Sequence, residues 1–115
     1  MSYDKIGNVL FAQGKFDGAG NAYRDGLAFL EQLAAAAPGN TQWQSFLVVM
    51  RSKLASVHQK LGDVTQALIE LRIAHEILAA LVAGAPGNAV WATSLAWLKG
   101  EIARLEGQAQ ETTKN

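Results

Sequence analysis

The chain has no cysteine. Disulfides, thiolate nucleophiles and cysteine-containing zinc sites are therefore excluded. It has no excess of either charge: ten Lys and Arg balance ten Asp and Glu. A general phosphate-backbone binder needs a basic surface, and a polybasic membrane anchor needs a basic cluster. Neither nucleic acid nor a membrane is therefore expected as a partner. No apolar run approaches the ~20 residues that span a bilayer. The opening, Met1-Ser2-Tyr3-Asp4-Lys5, lacks the basic start and apolar core of a secretory signal. A cytoplasmic location is the expectation, and a piece of a longer protein would read the same way.

Motifs for chemistry are also lacking. Gly18 and Gly20 fall in a helix start without the Lys-Ser/Thr of a phosphate loop, and no nucleophile elbow is visible. His58 and His75 are the only histidines; they lie on different helices, each beside a core stripe. Glu76 alone is thin support for a metal, so both read as half-buried structural residues. The expectation is a protein without catalysis, cofactor or metal.

What the chain does have is a repeat. Ala37-Pro38-Gly39-Asn40 returns as Ala85-Pro86-Gly87-Asn88, an offset of 48. The same offset carries Gly14 onto Gly62, Ala19 onto Ala67, Arg24 onto Arg72, Trp43 onto Trp91 and Leu47 onto Leu95. A fixed period of this size signals stacked supersecondary units, each unable to bury its apolar face alone. Such stacks mostly bind other proteins. Trp43 and Trp91 recur with the period, which points to packing between units.

Helix signals dominate and strand signals are absent. From Thr41 to Leu61, Trp43, Phe46, Leu47, Met50, Leu54, Val57 and Leu61 draw one apolar stripe of helical period. Asn40 or Thr41 can cap its start and Gly62 its end. A second helix runs from Asp63 to Gly84 on Val64, Ala67, Leu68, Leu71, Ala74, Leu78 and Val82. Asp63 and Gln66 have capping-box spacing. A third rod from Ala89 carries Trp91, Leu95, Leu98, Ile102 and Leu105. The first copy offers a short helix near Tyr3 to Gln13, using Ile6, Val9 and Leu10. A longer one follows from Asp17 to Ala36, using Ala19, Tyr23, Leu27, Leu30 and Leu33. Short links force antiparallel hairpins. The prediction is an all-α fold of about five helices in one domain, 1–107. Its repeats cover about 1–38, 39–86 and a partial 87–107, followed by a polar, frayed tail, 108–115. The first copy lacks a Pro-Gly-Asn opening, so its first helix is either a natural cap or the start of a fragment of a longer array.

Ile6-Gly7, Leu10, Gly14, Phe16, Ala19, Tyr23 and Leu27 together resemble the signature of the tetratricopeptide repeat. The second copy matches through Leu54-Ala55, Gly62, Asp63, Ala67, Leu68 and Ala74; Leu71 keeps its site apolar but departs from the aromatic Tyr23 of the first copy, and His58 departs from an expected aromatic. The third matches only through Ile102-Ala103. The period of 48 exceeds the family's ~34, so the chain looks like a long-helix variant of the kind found in tandem arrays of bacterial proteins. The resemblance implies a right-handed α-solenoid whose first helices line a concave surface for a peptide or partner protein.

By that analogy the flank facing the groove holds Asn8, Val49, Ser52, Lys53, Ser56, Lys60, Trp97, Glu101 and Arg104. The alternative is an ordinary solvated face, with Trp97 packed on a neighbour. Asn8 matches the Asn of a family carboxylate clamp, but Asp4 stands where its Lys belongs; Lys53 and Arg104 are the substitutes. Ile69, Ile73 and Ile77 form a stripe opposite the core stripe of their helix. Burying one such side chain stabilises by ~1.5–3 kcal/mol. The stripe therefore reads either as a homo-oligomer interface or as a second face covered by neighbours. Self-assembly, or a place in a longer array, is accordingly the alternative function. Gly26 is read as a close-packing site. Gly18 and Gly20 are read as weakening their helix by up to ~1 kcal/mol each and loosening it.

Overall fold

The computed structural model describes residues 2–114, with side-chain burial for 2–111; Met1 and Asn115, the ends of the expected first repeat and tail, lie outside the described residues. Among the described residues five helices follow in order: α1 Ser2–Ala12, α2 Phe16–Ala36, α3 Thr41–Lys60, α4 Val64–Gly84 and α5 Ala89–Lys114. The described residues contain no strand. Each helix packs chiefly against its neighbours in sequence, and the whole measures 45 × 29 × 21 Å. The stretch expected as a frayed tail instead prolongs α5 through residue 114.

The period of the sequence reappears in the backbone. At the end of α1, Gly14 has φ +77° and at the end of α3, Gly62 has φ +80°. Lys15 N–H donates to the Leu10 carbonyl at 2.8 Å and Gly14 N–H to that of Phe11 at 3.0 Å. Asp63 N–H donates to His58 at 2.8 Å and Gly62 N–H to Gln59 at 3.1 Å. Both pairs are the 6→1 and 5→2 bonds of a Schellman turn, which needs a left-handed residue and so selects glycine. The Pro-Gly-Asn turns repeat as well. Ala37 and Ala85 end their helices at φ −138°, ψ 70° and φ −144°, ψ 68°. Each carbonyl then accepts from the following Asn N–H at 3.0 Å. Asn40 Oδ1 accepts from Gln42 N–H at 3.0 Å and Trp43 N–H at 3.3 Å, while Asn88 Oδ1 accepts from Trp91 N–H at 3.1 Å.

The capping box at Asp63 is only half realised. Its Oδ1 accepts from Gln66 N–H at 3.0 Å, but its own N–H is already engaged by His58. The equivalent Lys15 has similar backbone angles and makes no side-chain cap.

Two apolar clusters form the interior. The first gathers Tyr23, Leu27, Leu30, Met50, Leu54 and Val57 from α2 and α3. The second gathers Val48 and Ala55 of α3 with Leu71, Leu78, Leu98 and Leu105 of α4 and α5. α3 thus buries two faces, where the sequence pattern gave one stripe. Ile77 touches both clusters. It is half-buried and packs against each of them.

Three other expected core positions lie outside. Ile6 is 52 % exposed, Val9 56 % and Leu61 50 %. Leu61 comes after the last helical residue, where the stripe no longer applies. In α1 the packed face is set by Gly7, because a Cβ there would fall 2.3–2.8 Å from the Tyr23 ring. Gly26 is also a close approach: its Cβ would meet Tyr3 Cβ at 2.9 Å and Met50 Cε at 3.1 Å. Gly20 is buried and would meet Val57 at 3.3 Å; Gly18 would meet Leu10 at 3.3 Å. Close helix packing therefore gives both glycines a structural reason.

An arginine ties three helices together. Arg51 of α3 reaches Glu31 of α2 at 2.8 Å and Glu70 of α4 at 2.9 Å. Such charge-assisted bonds add orientation as well as attraction. Sequence periodicity gave no sign of this bridge, since its partners lie about one helix away on either side.

Candidate functional site

Where α3 and α5 face each other across α4, they leave a furrow of about 530 Å³. Its walls are Val49, Ser52, Lys53 and Ser56 of α3 and Thr93, Ser94 and Trp97 of α5; Val48 and Leu98 form the floor. α3 and α5 begin with the same Pro-Gly-Asn turn, so the period that stacks the units also places these two walls. Val49 lines two adjoining hollows as well. One is bounded by Asp4, Leu30, Phe46 and Met50, the other by Ser45, Leu78, Val90, Trp91 and Ser94. The furrow therefore runs from α1, past Val49, to the start of α5. Its apolar rim is open: Val49 is 46 % exposed, Trp97 53 % and Val90 72 %.

Five expected groove residues meet here: Val49, Ser52, Lys53, Ser56 and Trp97. Thr93, Ser94 and Val90 were missed. Thr93 was within reach of the sequence, because the period that carries Val49 onto Trp97 carries Ser45 onto Thr93; Ser94 stands where the period puts Phe46 of the core stripe. The other four expected residues do not line this furrow. Asn8 accepts a hydrogen bond from Tyr23 Oη at 2.6 Å. Glu101 and Arg104 pair with each other at 2.7 Å, and Arg104 also donates to Gln59 at 2.8 Å. Lys60 is exposed at the last turn of α3.

The polar groups of the furrow are largely engaged. Ser52 Oγ donates to the Val48 carbonyl at 2.9 Å and Ser56 Oγ to that of Ser52 at 3.3 Å. Lys53 forms an ion pair with Asp4 of α1, and its ammonium lies 5.9 Å from the Tyr23 ring centroid. A carboxylate clamp built on Lys53 finds that cation already neutralised. Tyr23, 2 % exposed, has its phenol pKa raised above the ordinary value, first by burial and then by the negative charge of Asp4.

Along the isoleucine stripe, Ile69 is 41 % exposed, while Ile73 and Ile77 are both half-buried, Ile77 packing against both interior clusters. Ile73 borders a second cleft, of about 500 Å³, between α4 and α5, with Arg72, His75, Glu76, Lys99 and Ile102. Arg72, Glu76 and Lys99 bring both signs of charge to that rim, and Arg72 pairs with Glu106 at 3.0 Å. His58 and His75 are both half-buried. Among the described residues no three His, Cys, Asp or Glu gather into a metal-holding group, and no helix is long and apolar enough to cross a membrane.

No family model, curated protein or solved structure matches the chain.

Proposed function

We propose that this protein is a tetratricopeptide-like scaffold that binds a protein or peptide in the furrow between α3 and α5. In this reading the hairpins stack as a right-handed α-solenoid, α1, α3 and α5 line its concave side, and the protein works in the cytoplasm without catalysis or cofactor. The observation that carries it is the open apolar rim at Val49 and Trp97 on two helices related by the period. Contiguous exposed apolar surface bordered by hydroxyl groups is the usual mark of a recognition site. The repeated turns support a rigid display of that surface, with little ordering on binding. The cleft beside Ile73 offers less exposed apolar rim, since its Ile73 and Ile102 are both half-buried.

A displayed peptide library tests the proposal. Clones selected on the wild type should bind, and most should lose binding to Val49→Asp and to Trp97→Ala. Both positions are about half exposed, so the variants should retain the far-ultraviolet helical signal. Binding that survives both substitutions would contradict the groove.

A further inference from the structure

Three positions recur at the offset of 48: Met50, Leu54 and Val57 in α3, Leu98, Ile102 and Leu105 in α5, and Ser2, Ile6 and Val9 in α1. In α3 all three are buried, at 3 % exposure or less, in one cluster with Tyr23, Leu27 and Leu30 of the preceding α2. In α5, Leu98 and Leu105 are buried and Ile102 is half-buried, packed with Leu71 and Leu78 of the preceding α4. In α1, Ser2 is exposed, and Ile6 and Val9 are 52 % and 56 % exposed. The second helices show the same contrast. Phe29 of α2 is 48 % exposed, while its counterpart Ile77 of α4 packs against both clusters.

A terminal repeat that closes a stack carries a polar outer face. The first hairpin is apolar there, at Ile6, Val9 and Phe29. We infer that this face is a docking surface for the second helix of a further hairpin of the same repeat. That occupant is an amphipathic helix with apolar residues at the places of Tyr23, Leu27 and Leu30. The inference stands on the period and is independent of the furrow.

The two filled cases define the occupant. Tyr23 and Leu30 of α2 match Leu71 and Leu78 of α4 at the offset, and each is at most 2 % exposed in its cluster. A folded second copy has no such helix to give, because α2 spends that side on α3 and α4 spends it on α5. Two α1 helices meeting directly would bury little. Eleven residues make a rod about 16 Å long and about 10 Å wide, well under the ~800 Å² per partner of a standard interface.

A chain extended at its start tests this. Residues 15–49 fused ahead of Ser2, in place of Met1, add a copy of α2 and its turn in register, since Ser2 matches Met50. Amide exchange at Ile6 to Val9 should slow by at least about tenfold relative to the original chain. The extension also lengthens α1, so a second extended chain carries Leu27→Asp and Leu30→Asp in the added copy only. It should lose that protection. Equal exchange with and without the extension would overturn the inference. So would protection that survives the two aspartates, because a longer α1 would then suffice. In the original chain, a dimer seen by sedimentation and dissolved by Ile6→Asp would also overturn it, giving the face to a second copy.

Discussion

The two copies solve one packing problem with different residue pairs, and exchanging the pairs tests whether the units are equivalent. Gly7 and Tyr23 in the first copy correspond to Ala55 and Leu71 in the second. A methyl group on Gly7 would lie 2.3 Å from Tyr23 Cε1. The ring has little room to retreat: Tyr23 is 2 % exposed, and its hydroxyl is bonded to Asn8 at 2.6 Å. Overpacking costs about 1–3 kcal/mol, and an overlap this severe belongs at the upper end. Alanine returns about 0.8–1 kcal/mol of helix propensity. Gly7→Ala should therefore destabilise by about 1–2 kcal/mol. Tyr23→Leu alone loses ring contacts and a hydrogen bond, about 2–4 kcal/mol. The double variant installs the second copy's pair, whose members are 0 % and 1 % exposed there. It should be less destabilised than the sum of the single variants by at least about 1 kcal/mol. Urea unfolding with a common slope measures all four proteins. Additivity within about 0.5 kcal/mol would refute the equivalence of the two hairpins.

Two further outcomes follow from the same structure. Lys15→Asp copies the Asp63 cap onto a turn with similar backbone angles; it should stabilise by about 1 kcal/mol and raise the urea midpoint, and an unchanged midpoint would contradict the match of the two turns. The raised pKa of Tyr23 means that the folded protein keeps this phenol proton to higher pH than the unfolded chain does. Stability from this source is complete below the ordinary phenol value near 10 and falls as pH rises through the folded value. Urea midpoints measured on either side of pH ~10 should fall more steeply for wild type than for Tyr23→Phe, and equal slopes would contradict the burial argument.

The parts of the fold legible in the sequence are those decided by neighbouring residues. Gly62 announced the end of α3 because glycine adopts the left-handed turn there at least cost, and the period carries the same residue to Gly14. Asn40 announced a cap because a short side chain reaches the first free N–H groups, and Asn88 repeats it one period on. The furrow's walls at Val49 and Trp97 were reached through the family resemblance, with the period carrying one onto the other. Features requiring distant partners were not. Val48 and Ala55 fell outside the stripe read on α3, since a helix held between two others buries a second face that one period does not mark. Gly7, small enough to admit a tyrosine, was the cue to the packed side of α1, yet the bulkier Ile6 and Val9 drew the reading. Lys53 looked like a free cation until the fold brought Asp4 beside it, and Ser52 and Ser56 looked like ligand donors while their hydroxyls served their own helix.

The most direct test of the central claim is an amide chemical-shift map of the protein titrated with a peptide selected from the displayed library. Binding in the furrow should move the signals of residues 45–56 on α3 and 90–98 on α5, leaving the outer side of α4 at rest. Perturbations centred instead on Ile69 to Glu76 and Lys99 to Ile102 would contradict the account and place recognition in the charged cleft between α4 and α5.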